Sequence, residues 1–176
     1  MIQRAVISAI GPDRPGIVNA IAEVVRSLDL NIDDSRMTVL GGEFAILMSV
    51  TGADQSMSAL ETRVAETCRE LGLVHIFRPT VERDRTHGGI PYRVRVRAMD
   101  HPGIVHEIAG FFSSRKINID DLNTEVRPAA HTGTPIFELT MRVQIPSRVP
   151  VRALRSAFED FCDERDLDGV LESPVS

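Results

Sequence analysis

The chain carries twice a pair of motifs whose residue types could hold a small charged molecule. Asp13, Pro15, Gly16, Ile17 and Val18 recur as Asp100, Pro102, Gly103, Ile104 and Val105, and Asn31-Ile32-Asp33-Asp34 recurs as Asn118-Ile119-Asp120-Asp121. Pro15 and Pro102 suit a first helical turn, because their fixed φ matches the helix and their missing N–H would go unpaired there. Gly16 and Gly103 remove the side chain where something approaches the backbone. A helix start without a covering Cβ offers free N–H groups and the positive end of the helix dipole to a carboxylate. Asp13 or Asp100 can answer an ammonium group, and the amides of Asn31 and Asn118 can donate to one ligand atom while accepting from another. Together these parts suit a zwitterion, meaning a free amino acid. The plainer reading is that Pro-Gly merely starts the helix, the Asp caps it, and Asn31 and Asn118 cap a strand turn. Caps are commoner than sites, so the residue types alone favour that plainer reading.

Other constellations point to less. Asp33-Asp34 and Asp120-Asp121 resemble paired carboxylates, but neighbours on a regular strand face opposite ways, which keeps each pair from converging on a metal or a proton. His101 and His106 are five apart, off the spacings that share a helix face, and His75, His87 and His131 show no ligand pattern, so no metal is expected. His101 could titrate near neutrality, though an exposed loop residue accounts for it as well. No nucleophile with a paired base is visible, so no catalytic residue is assigned and a small hydrolase on the same frame ranks last. Arg93, Arg95 and Arg97 form a basic ladder whose counterparts Val6, Ser8 and Ile10 are not basic. An RNA-binding sheet would want stacking aromatics, yet Phe44, Phe137 and Tyr92 fall on core-facing registers. The ladder is expected on a solvated face, or paired with acids of another subunit. Val6 and Ile10 lie on the outward register of the first copy, as interface residues often do. Glu159, Asp160, Asp163, Glu164, Asp166 and Asp168 crowd the end of the chain's last helix, a solvated end or a docking surface.

The elements that must position these residues follow from a tandem repeat. The 176 residues are 43% hydrophobic and 26% charged, an ordinary globular composition. Between 13–39 and 100–126 there are 13 identities in 27 ungapped positions, too many for chance. Further on the offset grows from 87 to 93 and then 94, so the second copy carries about six extra residues around Arg127 to Pro135, where a surface loop is expected. Tyr92, Val94, Val96 and Ala98 alternate as in a half-buried strand, matched near Ile2 to Ile10. Ile17, Val18, Ile21, Val24, Val25 and Leu28 form the apolar stripe of a helix. Asn31 to Leu40, a Gly41-Gly42 turn and the alternation Phe44, Ile46, Met48, Val50 predict a hairpin. Leu60, Val64, Cys68 and Leu71 mark a second helix, and Leu73 to Val81 a closing strand. The expected class is α+β: two ferredoxin-like βαββαβ domains in tandem, each a four-stranded antiparallel sheet with two helices on one face. The predicted boundaries are 1–84 and 91–176, with a linker at 85–90.

The net charge of −5 is shared, 9 cations against 12 anions in 1–86 and 11 against 13 in 87–176. Neither half has the basic excess of a protein that binds nucleic acid directly. Cys68 and Cys162 are too few for a disulfide scaffold and fit a reduced, cytoplasmic setting. No apolar run reaches membrane-spanning length and the first residues lack a signal-peptide pattern, so no membrane association is expected.

The segments GPDRPGIVNAIAEVVRSLDLNI and AMDHPGIVHEIAGFFSSRKINI resemble ACT domains, small βαββαβ regulatory modules. The resemblance covers nearly the whole chain. With two copies and no catalytic domain, the chain is similar to the glycine cleavage system transcriptional repressor group of tandem ACT proteins. It implies a non-catalytic regulator without cofactor that binds a small amino acid, glycine or serine first, at the first-strand–first-helix loops and a domain interface. Carried over, it nominates Asp13, Arg14, Pro15, Gly16, Ile17 and Asn31, and Asp100, His101, Pro102, Gly103, Ile104 and Asn118, with the asparagine segment of a neighbouring domain completing each pocket. The copies differ at Arg14 and His101, and at most one site is expected to function. The implied partner is a regulated protein, with a DNA-binding regulator as one form, since nothing resembles a helix-turn-helix; a homodimer is compatible. The alternative is a protein–protein interaction module whose ligand site is vestigial.

Overall fold

The computed structural model describes residues 2–81, 89–130 and 132–173. Twelve elements follow one another as β1 (Ile2–Pro12), α1 (Ile17–Ser27), β2 (Asn31–Leu40), β3 (Glu43–Ala53), α2 (Asp54–Glu70), β4 (Val74–Thr80), β5 (Ile90–Met99), α3 (Ile104–Ser113), β6 (Asn118–Pro128), β7 (Pro135–Ile145), α4 (Val151–Asp163) and β8 (Asp168–Glu172). The order is βαββαβ twice, as the periodicities predict. The chain divides into two compact units, Met1–Asp84 and Arg85–Ser176. Most of the predicted linker lies outside the described residues, and Ile90, its last position, instead opens β5 opposite Ile145.

Each unit holds one antiparallel sheet, ordered β2-β3-β1-β4 in the first and β6-β7-β5-β8 in the second. The inward register of the first sheet, Ala5, Ile7, Ala9, Phe44, Ile46, Met48 and Val50, meets Ile17, Ile21, Val24 and Val25 of α1 and Leu60, Val64 and Cys68 of α2 in one core. In the second core aromatic side chains replace aliphatic ones. Phe111, Phe112 and Phe158 stand where the first has Val24, Val25 and Val64, with ring centroids 5.1 to 5.5 Å apart.

All four helices end alike. Asp29, Gly72, Lys116 and Asp166 take a left-handed conformation, with φ between 53° and 69°. The next residue's N–H then returns to the helix: Leu30 to Val25, Leu73 to Cys68, Ile117 to Phe112 and Leu167 to Cys162, at 2.7 to 3.2 Å. Each of those next residues is apolar and buried, the contact that closes a Schellman cap. Left-handed backbone costs a residue with a Cβ about 1 kcal/mol or more, so three of the four caps offset strain with burial. Gly41 and Gly42, at φ 60° and 88°, make the two-residue hairpin turn between β2 and β3. Between β6 and β7, where the extra residues were expected, the Ala129 N–H donates to the Thr134 carbonyl at 2.8 Å.

One local irregularity corrects the sequence reading. Ile32 pairs with Val50, but Asp34 pairs with Ser49, so Asp33 is the extra residue of a β-bulge; Ile119 and Asp121 repeat this against Val143 and Arg142. The bulge turns both carboxylates of each Asp-Asp pair to the outer sheet face instead of opposite faces.

Buried Cys162 supplies a pH-dependent element of stability. Burial, aided by Asp163 and Asp168, pushes its thiol up to about 11. Below pH 9 native and unfolded chains both hold the proton; above it the unfolded thiol ionises first, so stability falls by roughly 2–3 kcal/mol between pH 9 and 11. Urea midpoints of the second domain should show that loss, and a Cys162→Ala chain should lack it.

Candidate functional site

The turn that enters α1 is unusual for a helix start. Residues flanking a helix start normally have extended backbone, but Gly16 sits at φ 96°, ψ −10°, and Gly103 at φ 104°, ψ −15°. Only glycine takes this conformation without strain, so the glycine is required by the backbone itself. Pro15 and Pro102 precede that position and make the turn, rather than occupying the first helical turn as the sequence suggested. The first helical bonds run from the Ala20 N–H to Gly16 at 2.9 Å and from the Glu107 N–H to Gly103 at 3.0 Å. No α-helix can satisfy its first N–H groups internally, and neither start receives a side-chain cap. Asp13 and Asp100 therefore do not cap; their own N–H groups tie the loops to Gly42 and Pro135, each at 3.0 Å.

In the first domain this start opens on a cleft of about 550 Å³. Asp13, Arg14 and Gly16 line its mouth, and Ile17, Val18, Met37 and Phe44 form its apolar wall. Nothing stands within 4 Å of where a Gly16 side chain would begin. Met37 and Phe44 escaped the sequence reading because they come from β2 and β3, and only the hairpin brings them beside the loop.

The second start differs most at one position. Glu107 stands where the first copy has Ala20, and its Oε1 lies 3.8 Å from the position a Gly103 Cβ would take. Its Oε2 is 3.4 Å from Arg165 Nε. A carboxylate of the chain's own thus already stands beside the positive end of α3. The repeat offset of 87 pairs these two residues, so this contrast was legible in the sequence though not drawn from it. His101 is exposed, with Nδ1 3.2 Å from the Pro102 carbonyl.

The asparagines are not brought to the loops of their own domains. Asn31 pairs with Thr51 and thus lies level with Arg4, whereas the Gly16 loop leaves the other end of β1, where Gly11 pairs with Phe44. Seven residues of strand separate the two levels, about 23 Å. Asn31 Nδ2 donates to Asp33 at 3.0 Å, and Asp33 also accepts from Thr51 at 2.8 Å and sits 3.4 Å from Arg4. Asn118 donates to Asp120 at 2.8 Å, which accepts from Gln144 at 2.6 Å. Each asparagine amide thus gives a donor to the aspartate two residues along its own strand. Asn31 also lines a separate cleft of about 670 Å³ with Asp29, Leu30 and Gly52.

The basic ladder is answered within its own sheet: Arg95 bonds Glu172, and Arg97 lies 3.6 Å from Glu138. Between α3 and α4 a third cleft, about 480 Å³, carries mirrored stacks, Arg115 over Phe111 at 3.8 Å and Arg165 over Phe161 at 4.2 Å. Among the described residues no helix is long and apolar enough to cross a membrane.

With this geometry in hand, comparison with known proteins is specific. Residues 3–78 and 92–147 each match a family model for the ACT domain, together three quarters of the chain. The chain is 29% identical over 164 residues to the glycine cleavage system transcriptional repressor of Escherichia coli strain K12, covering 93% of this chain and 86% of that one. A UPF0237 protein of Methanopyrus kandleri is 42% identical over 72 residues, 40% of this chain and 80% of its own. Among solved structures, an unknown protein from Galdieria sulphuraria superimposes with a TM-score of 0.86 at 26% identity, covering 99% and 100% of the two chains. A crystal structure provisionally described as a glycine cleavage system transcriptional repressor gives 0.75 at 26% identity, covering 98% and 97%.

Proposed function

We propose that this chain, which belongs to the ACT domain family with two such domains in tandem, is a non-catalytic regulator that binds a small free amino acid at the Gly16 loop and passes the change to a partner protein. The carrying observation is the uncapped, glycine-entered start of α1 opening on the cleft of Asp13, Arg14 and Phe44. There the N–H groups take the ligand carboxylate, Asp13 answers its ammonium group, Arg14 flanks the mouth, Ile17 forms part of the wall, and Pro15 shapes the turn that presents Gly16. Glycine or serine is the first ligand to try, because the repressor of Escherichia coli is named for glycine cleavage. Binding favours one conformation over another and so changes what the partner meets. An effect on transcription would run through a DNA-binding partner in the cytoplasm, and no cofactor enters this reading.

Glu107 favours a second reading for the other loop: at Asp100, His101, Pro102, Gly103 and Ile104 the site is vestigial, and that domain acts as an interaction module. Titration calorimetry with a panel of free amino acids tests both. Saturable heat with glycine or serine, lost in Gly16→Val, is the expected result; a valine there cannot take φ 96° without strain. Circular dichroism should show that variant still folded. Silence of the wild-type chain across the panel would leave only the interaction module.

A further inference from the structure

The outer face of the first domain's sheet departs from its twin position by position. At matching places the first sheet has Val6, Ser8, Ile10, Ala45, Leu47, Ser49, Val74 and Ile76, and the second has Arg93, Arg95, Arg97, Glu138, Thr140, Arg142, Asp168 and Val170. The second face is laced by its own ion pairs and wants no cover. The first leaves Ile10 and Leu47 half exposed, Ile76 58% and Val74 70% exposed. Contiguous apolar surface on a sheet face marks an interface.

The pairing register shows what would cover it. Across the two central strands each large side chain stands beside a small one: Val6 beside Ser49, Leu47 beside Ser8, Ile10 beside Ala45. On the two outer strands Arg78 lies in the row of Val6 and Ser49, and Asp34 closes that row on the other side. A two-fold axis parallel to the strands lays β1 over β3 of a second copy and β4 over its β2. Across the central strands each large residue then meets a small one, Val74 meets Thr38, Ile76 lies along the Arg36 side chain, and Arg78 meets Asp34 twice. Such self-complementarity is what a two-fold interface between identical chains requires, and near-aligned sheets pack face to face in this way. We propose that this face is where two copies of the chain associate, through an apolar centre of Val6, Ile10 and Leu47 flanked by reciprocal Arg78–Asp34 pairs.

Sedimentation equilibrium of the full chain, from about 1 to about 100 μM, tests this. A dimer is expected for the wild type, and monomer for Leu47→Arg with unchanged circular dichroism. Arg78→Asp alone and Asp34→Arg alone should each raise the dimer dissociation constant about tenfold, because each sets like charges opposite one another at two symmetric places. The double variant Arg78→Asp/Asp34→Arg should recover dimerisation, and so should an equimolar mixture of the two single variants, which neither misfolding nor an unrelated partner can produce. A monomeric wild type, a Leu47→Arg chain that still dimerises, or single swaps without rescue would overturn the proposal.

Discussion

An Ala20→Glu chain is expected to lose amino-acid binding at the first loop while becoming slightly more stable. Residue 20 is the counterpart of Glu107, and a helical side chain leans toward the start of its own helix. A carboxylate there complements the dipole by about 0.3–1 kcal/mol, so the fold gains. A bound ligand carboxylate about 4 Å away would meet like charge at a cost of roughly 1 kcal/mol in watery surroundings and 4 kcal/mol in a partly buried cleft. That is a fall in affinity from about fivefold to several hundredfold. Calorimetry beside thermal melts separates the two signs: weaker binding with equal or higher Tm supports the site, and unchanged affinity removes the Gly16 loop from it. The reverse change, Glu107→Ala, should leave binding at the first loop untouched.

Phe158→Ala is expected to be the most damaging single core truncation. Its ring is wholly buried, with centroids 5.2 Å from Phe111, 5.5 Å from Phe112 and 6.1 Å from Phe161. Removing a phenylalanine from such a cluster costs about 3–5 kcal/mol in lost burial and residual cavity, a large part of the 5–15 kcal/mol that holds a domain together. The chain has no Trp, so far-UV circular dichroism is the measure. The urea transition of the second domain should move by about 1–3 M while that of the first stays in place. A shift below about 1 kcal/mol would mean that the rings are not packed as described. Val64→Ala at the matching place in the first domain should cost less, because the removed volume is smaller.

The candidate site was only partly legible. Asp13, Pro15 and Gly16 announced themselves because the repeat shows them twice, and Gly16 holds the left-handed turn that the motif requires. Asn31 was nominated for the pocket of a neighbouring domain; within its own domain it pairs level with Arg4, about 23 Å along the sheet from the Gly16 loop. Met37 and Phe44 were missed because their place beside the loop is set by the β2–β3 register. The bulge at Asp33 was invisible, since one inserted residue leaves the local composition unchanged while reversing which face the next side chain takes. The helix ends hid for a related reason: Lys116 gives no local sign of left-handed backbone and Asp29 and Asp166 only a weak one, and the buried Leu30, Ile117 and Leu167 that hold them there become visible only once the core exists.

By itself, the sequence determined that there are two copies of one βαββαβ unit, which strand and helix faces are apolar, and where the hairpin and the extra loop fall. Those features rest on period and on local backbone preference, which neighbouring residues carry between them. The tertiary structure alone decided that the α1 start stays uncapped, that Arg165 reaches Glu107 beside the second start, and that the Arg ladder finds its acids across its own sheet. Each of these depends on residues far apart in the chain meeting across strands or helices, and register and packing, rather than local preference, settle such meetings.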